Sequence, residues 1–233
     1  MFLYGIGFIG GFVTPTSLDG VPSSSLAHAL TADLALLAAF AVQHSGMARP
    51  AFKAWWKRYV PEAAERSTYV LLSSLALAAL YIFWEPIGGV IWSATDPVLR
   101  NSIISLYLLG WLLLLYTTFL IDHFDLFGLK QAWRRFHNKT YRAPVFRTPS
   151  LYKLVRHPLY IGWLTIFWAA PTMTVAHLLF ALATTAYILI AIRFEERDLV
   201  SAFGTTYLDY RARTPMLIPR LWSKSAKVER RII

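Results

Sequence analysis

Residues 156–198 read RHPLYIGWLTIFWAAPTMTVAHLLFALATTAYILIAIRFEERD, and this stretch decides the fold. Two apolar runs, Leu159–Ala170 and Ala176–Ile192, are separated by Pro171-Thr172-Met173-Thr174. So short a separation leaves no room for an intervening domain, so the runs are expected to form an antiparallel helical hairpin. The first run is shorter than the roughly 20 residues a helix needs to cross a hydrocarbon core about 30 Å thick, as suits a helix that begins inside a functional site. Arg156-His157 precedes the first helix, and Arg193-Phe194-Glu195-Glu196-Arg197-Asp198 ends the second. A hairpin returns the end of its second helix to the level at which the first began. Arg156, His157, Glu195 and Glu196 are therefore expected to face one pocket.

Outward from the hairpin, three more apolar runs follow the same logic: Leu26–Val42, Thr68–Trp84 and Ser102–Ile121. Met1–Val13 is apolar but short for a span, and it lacks the basic start and small-residue cleavage site of a signal peptide. It is read as the end of a first helix. The whole chain is 56% hydrophobic with a mean hydropathy of +0.45. Only 15% of its residues are charged, against roughly 25% in soluble domains. The reading is an all-α polytopic integral membrane protein with five to six transmembrane helices and one membrane domain over residues 1–233. Within it, residues 1–121 form the amino-terminal spans, 122–158 an amphipathic segment, and 159–233 the hairpin core and tail. Trp55, Trp56, Trp84, Trp92 and Trp111 lie near the expected span ends, and for most of them an interfacial aromatic belt is the reading. Asp33 and His177 are read as structural.

Of the 23 Lys and Arg residues, 22 fall in three segments: His44–Ser67, Asp122–Pro158 and the tail from Arg193. If six helices cross, those segments share one face, which the positive-inside rule makes cytoplasmic, together with both termini. The formal net charge of +10 is thus an orientation signal, with anionic membrane lipids as neighbours. Cations beside spans argue against nucleic acid as a partner. The chain has no cysteine, which excludes disulfides, thiolate metal sites and a cysteine nucleophile. The residues set no oligomeric state.

Pro158 falls in the first turn of its helix, where a missing N–H costs nothing. Free backbone donors there, with Arg156, suit an anionic group such as a carboxylate, although a positively flanked span start looks the same. Glu195 and Glu196 can accept hydrogen bonds from ribose hydroxyls or stabilise a cation, or simply terminate the span as solvated charges. Phe203-Gly204, Tyr207, Tyr210, Arg211, Pro215, Met216 and Pro219 form a pattern of aromatic and turn residues able to fold back over the hairpin mouth.

The Arg-His-Pro-x-Tyr-x-Gly start, the Glu-Glu pair, the Phe-Gly-x-x-Tyr-x-x-Tyr segment and the closing Ile-Pro resemble membrane methyltransferases related to isoprenylcysteine carboxyl methyltransferase and phospholipid methyltransferase. Gln43-His44-Ser45-Gly46-Met47-Ala48-Arg49-Pro50 and Glu65-Arg66-Ser67-Thr68-Tyr69-Val70 are similar to the NnrU-like branch. The run Leu120 to Leu129, with Phe146-Arg147-Thr148-Pro149, resembles the bacterial methanethiol S-methyltransferase family. The resemblance implies an S-adenosylmethionine site facing the cytoplasm of a bacterial inner membrane, lined by Arg156, His157, Pro158, Tyr160, Gly162, Glu195 and Glu196, with Tyr207 and Arg211 from the tail. It also implies a small volatile thiol as the acceptor.

A thiol attacking a sulfonium methyl group needs alignment, a dry site and a thiolate. An unperturbed cysteine thiol has a pKa of roughly 8.5, so a base is useful. His44 and the Asp122-His123 pair are the candidates, each at the expected cytoplasmic end of a span, with Asp122 or Asp125 orienting an imidazole. Arg66 either guides a thiolate or binds a headgroup. No metal is expected. Two other readings stand beside this one: the same enzyme class acting on a lipid amine or prenylcysteine, and a non-enzymatic NnrU-like membrane factor binding haem through His44, His123 or His157.

Overall fold

The structure is a computed structural model that describes residues 1–141 and 145–219. Arg142 and the five cations from Arg220 onward, counted in the basic segments above, lie outside the described residues. In chain order the elements are α1 (Phe2–Gly10), α2 (Leu26–Ala48), α3 (Pro50–Trp56), α4 (Glu62–Phe83), β1 (Val90–Ser93), α5 (Pro97–Ile121), α6 (His123–Leu126), α7 (Leu129–Phe136), a 3-10 turn (Ser150–Lys153), α8 (Pro158–Trp168), β2 (Thr172–Thr174), α9 (Val175–Phe203) and α10 (Thr205–Arg213). The fold is all-α and polytopic. Among the described residues four helices, α2, α4, α5 and α9, are long and apolar enough to cross a membrane. At about 1.5 Å per residue, the 22 to 29 residues of each span the core. The other two apolar runs become the short helices α1 and α8, which pack within the same bundle.

Helix starts follow from capping chemistry. Ser25 accepts from His28 N, Asp96 from Leu99 N and Thr174 from His177 N, each satisfying a donor that its helix leaves open. Those three starts lie at one end of the bundle, together with the exits of α4 and α8. There β1 and β2 pair antiparallel, with Val90 opposite Thr174 and Ser93 opposite Thr172. The Pro171–Thr174 connection therefore carries a short strand as well as the expected reversal. Thr174 Oγ1 donates to Asp19 Oδ1 at 2.6 Å, and His177 Nδ1 lies 3.0 Å from Asp19 Oδ2. His177 is structural, as read. Asp33, fully buried, accepts from the Glu85 amide at 2.9 Å.

Leu71, Leu75, Leu109, Leu112 and Ile190 are exposed on the bundle's outside, an arrangement that hydrocarbon surroundings make stable. Inside, the core joins Phe8, Leu80, Trp111, Ile166, Phe180 and Ile192. The aromatic-belt reading fails for two residues. Trp84 and Trp111 are each only 4% exposed, and Trp111 lies midway along α5, edge-on to Trp163 and Phe2. Helices α5 and α8 cross at glycines: a Cβ on Gly110 would stand 2.9 Å from Ile166 Cγ1, and one on Gly162 3.1 Å from Leu114 N. Small residues at such crossings let backbones approach where lipid offers no hydrophobic drive. This contact fixes α8, and with it the start of the charged cluster.

The candidate active site

His157 and Pro158 open α8, and no side chain caps the helix. The amides of Arg156 and His157 donate to the carbonyls of Pro215 and Met216 at 2.8 and 3.1 Å. The tail thus folds back over the hairpin mouth, held by main-chain pairing. Phe146 packs tilted against Phe203 and edge-on to Tyr207 and Tyr210, and the Tyr210 hydroxyl donates to Tyr152 O at 2.6 Å.

Beneath that cover the two ends of the hairpin interlock. Arg156 Nε donates to Glu196 Oε1 at 2.6 Å, and His157 Nε2 lies 3.1 Å from the same oxygen. Arg156 also donates to the carbonyls of Arg211 and Thr214 at 3.1 and 2.5 Å. Tyr160, three residues into α8, donates to Glu195 Oε2 at 3.0 Å. Side chains of Arg156, His157 and Glu196 are 11%, 4% and 13% exposed, whereas that of Glu195 is 44% exposed. Burial so deep requires the guanidinium and carboxylate to pair, because an unpaired ion costs several kcal/mol of desolvation. Glu195, by contrast, keeps part of its carboxylate open.

Tyr207 is 1% exposed and its hydroxyl has no partner among the described residues. Burial, with the nearby Glu196 carboxylate, pushes its phenol above the ordinary range, so it is a neutral donor. The side chain of Arg211 is exposed, and it is the main-chain carbonyl that joins the cluster. Pro158 is buried at the first turn. Gly162 faces α5, where the helix crossing leaves no room for a Cβ.

The base candidates separate. His44 is half-buried in α2, with the Tyr69 hydroxyl 3.0 Å from its ring. The Asp122-His123 pairing does not form. Asp122 is hydrogen-bonded to Lys130, which holds its carboxyl below the usual range, and it caps α6 by accepting from Asp125 N. His123 Nδ1 lies 2.8 Å from Thr118 Oγ1, its ring stacked on Phe119. Asp125 accepts from Tyr141 at 2.9 Å rather than orienting an imidazole. The physical reason is reach: Asp122 has a positive φ that turns its side chain along α6 toward Lys130. Arg66 Nε donates to Leu126 O at 2.8 Å, and its guanidinium lies over the Tyr69 ring. It thereby fastens the α6 turn to α4.

Sequence reasoning missed Ser45 and Tyr187, whose hydroxyls are 2.9 Å apart, and the Arg49–Asp198 ion pair at 2.9 Å. The signal was available in part: residues 187, 194 and 198 share one face of a 3.6-residue helix, the face that α9 turns toward α2.

A polytopic helical membrane protein with a buried arginine–histidine–carboxylate knot, closed over by its own tail, is the class that fold and site define. Among curated relatives the chain is 52% identical over 230 residues to methanethiol S-methyltransferase 2 of Bradyrhizobium diazoefficiens, covering 99% of this chain and 88% of that one. It is 52% identical over 223 residues to methanethiol S-methyltransferase of Crocosphaera subtropica (96% and 88% covered) and 48% identical over 218 residues to that of Mycobacterium tuberculosis (94% and 89%). No protein-family model and no solved structure matches the chain. At that identity and coverage, the chain belongs to the methanethiol S-methyltransferase family.

Proposed function

We propose that the protein transfers the methyl group of S-adenosylmethionine to methanethiol, giving dimethyl sulfide, at the cytoplasmic side of a bacterial inner membrane. The observation that carries this reading is the interlock of Arg156, His157 and Tyr160 with Glu195 and Glu196, in a chain of this family. The donor set suits the cofactor. Half-exposed Glu195 offers a carboxylate to ribose hydroxyls or to the cationic end of the molecule, and the unpartnered Tyr207 hydroxyl offers a buried hydrogen bond.

When bound, S-adenosylmethionine supplies an electrophilic methyl group on a sulfonium. The protein's part is to align the acceptor, exclude water and dispose of the thiol proton. Arg156 and Glu196 neutralise each other and hold the ends of α8 and α9 together, while Tyr160 fixes the Glu195 carboxylate. The tail segment across the mouth shields the knot from solvent. Among the base candidates, His44 is supported by its half-buried position beside Tyr69, and it takes the thiol proton as general base. The basic residues of α3, α7 and the 3-10 turn lie at this end of the bundle, which supports a cytoplasmic site.

The test mixes purified protein, S-adenosylmethionine and methanethiol and measures headspace dimethyl sulfide. Turnover is expected from the wild type and its loss from the Glu195→Ala/Glu196→Ala variant. Equal dimethyl sulfide from both would refute the reading.

A further inference from the structure

Helices α2, α4 and α9 meet in a second polar cluster beside the arginine–carboxylate knot. The Ser45 and Tyr187 hydroxyls are 2.9 Å apart. Next to Ser45 on α2, His44 stacks on Phe40 with ring centroids 5.2 Å apart, and Phe40 meets Tyr187 edge-on at 6.4 Å. Tyr69 on α4 completes the group, its hydroxyl 3.0 Å from the imidazole nitrogens and its ring tilted against that of His44 at 5.2 Å. Hydroxyl and imidazole groups in an apolar bundle are costly unless they serve something.

Two features give this cluster a direction. First, the Ser73 hydroxyl lies 3.3 Å from His44 Nδ1. With Nδ1–H donating to Ser73, Nε2 is left to accept from Tyr69, and the Tyr69 oxygen keeps a free lone pair. Second, α9 carries Tyr187 about two turns before Glu195, the residue that receives the Tyr160 hydroxyl, and Arg49 at the end of α2 pairs with Asp198 on the same helix. The knot that suits the cofactor and the cluster that carries the imidazole are therefore neighbours along α9, with a tyrosine on each side of the junction.

We propose that the acceptor thiol is seated between the two clusters, walled by Phe40 and Tyr187, and that the Tyr69 hydroxyl relays its proton to His44 Nε2. The S–H bond breaks as the proton passes to the Tyr69 oxygen and the Tyr69 proton passes to Nε2. The sulfur electron pair so released forms the new C–S bond, and the electrons of the old methyl–sulfonium bond remain on the departing sulfur. The ligand class is a small uncharged thiol: aromatic rings bound the seat, and the nearest cation, Arg66, lies over the Tyr69 ring with its Nε held by the Leu126 carbonyl. Tyr187 and Phe40 set the size limit, and Tyr69 is a catalytic residue in contact with substrate.

This rests on the thiol-methylating reading above, so wild-type turnover of methanethiol is measured first. Its absence removes that reading, while the seat is still judged by binding. Ligand-observed saturation-transfer NMR without cofactor compares 1-butanethiol on wild type and on Tyr187→Ala, with Phe40→Ala as the second variant should the first fail to fold. Binding at least tenfold tighter in a widened variant is expected, with a matching rise in kcat/KM for butanethiol relative to methanethiol, since each methylene accommodated is worth about 10-fold or more. No gain in binding or in that ratio in the folded variants overturns the seat. Tyr69→Phe is expected to lower kcat on methanethiol about 100-fold with KM within about twofold. With the more acidic 2,2,2-trifluoroethanethiol the deficit is expected to shrink at least tenfold, because that thiol ionises without help. An equal loss on both thiols overturns the relay and leaves Tyr69 as packing.

Discussion

Replacing Glu196 by alanine tests the knot most directly. Its Oε1 accepts from both Arg156 Nε and His157 Nε2, and both donors are nearly buried. Truncation strands a guanidinium that keeps only the carbonyls of Arg211 and Thr214. Breaking a buried pair from one side costs about 3–5 kcal/mol, and the retained carbonyls place this case near 3 kcal/mol. For a chain of this size about 1 kcal/mol moves the melting temperature by 2–4 °C, so the apparent Tm should fall by roughly 6–12 °C. Glu195→Ala is the internal control. Its carboxylate is 44% exposed and receives one hydrogen bond from Tyr160, worth about 1 kcal/mol net, so its Tm should fall by less than about 4 °C. Thermal unfolding in detergent, followed by intrinsic tryptophan fluorescence, reads both. Removing the two ions together, as Arg156→Met/Glu196→Leu, should recover much of the loss, because no charge is then left unpaired. Equal shifts for Glu195→Ala and Glu196→Ala, or a double variant no better than Glu196→Ala, would refute the reasoning.

Three further outcomes are expected. Gly162→Ala forces a Cβ to within 3.1 Å of Leu114 N and 3.2 Å of Gly110 O, so it should destabilise by about 1–3 kcal/mol, seen as a lower Tm without any change in ligand chemistry. Tyr207→Phe removes a buried hydroxyl that has no partner, so the Tm without ligand should hold or rise by a degree or two, while the stabilisation conferred by S-adenosylhomocysteine shrinks in the same scan. The Asp122 carboxyl is held below its unfolded value of about 3.9 by Lys130, so its stabilisation is present above that value and lost as pH falls through the lower, folded pKa. The Tm gap between wild type and Asp122→Asn should accordingly close as the buffer is taken from pH 6 to below pH 4.

The hairpin and its knot were legible because one constraint links them. A short turn between two apolar runs brings Arg156 and His157 to the level of Glu195 and Glu196, and the structure pairs them. The return of the tail was legible from its tyrosines and prolines. Other features were not, for local reasons. Residues adjacent in sequence need not bond to each other: Asp122 turns to Lys130 and His123 to Thr118, which no spacing rule reveals. Gly162 sits in a motif that resembles cofactor-binding segments, yet its lack of a side chain serves the crossing with α5. Tyr187 looks like one more apolar-face aromatic until Ser45 is placed opposite it. Trp111 lies too far from either end of α5 to be interfacial, a fact that depends on a helix running back to Pro97, beyond the apolar run itself.

The β1–β2 ribbon staples the loop between α4 and α5 to the loop between α8 and α9, and Asp19 latches the loop between α1 and α2 to the same spot. Three loops bound together tie that end of the bundle, so a widening of the helices costs fewer contacts at the opposite end, like the jaws of tongs. Their pivot is a few residues of paired backbone on the side of the bilayer away from the knot.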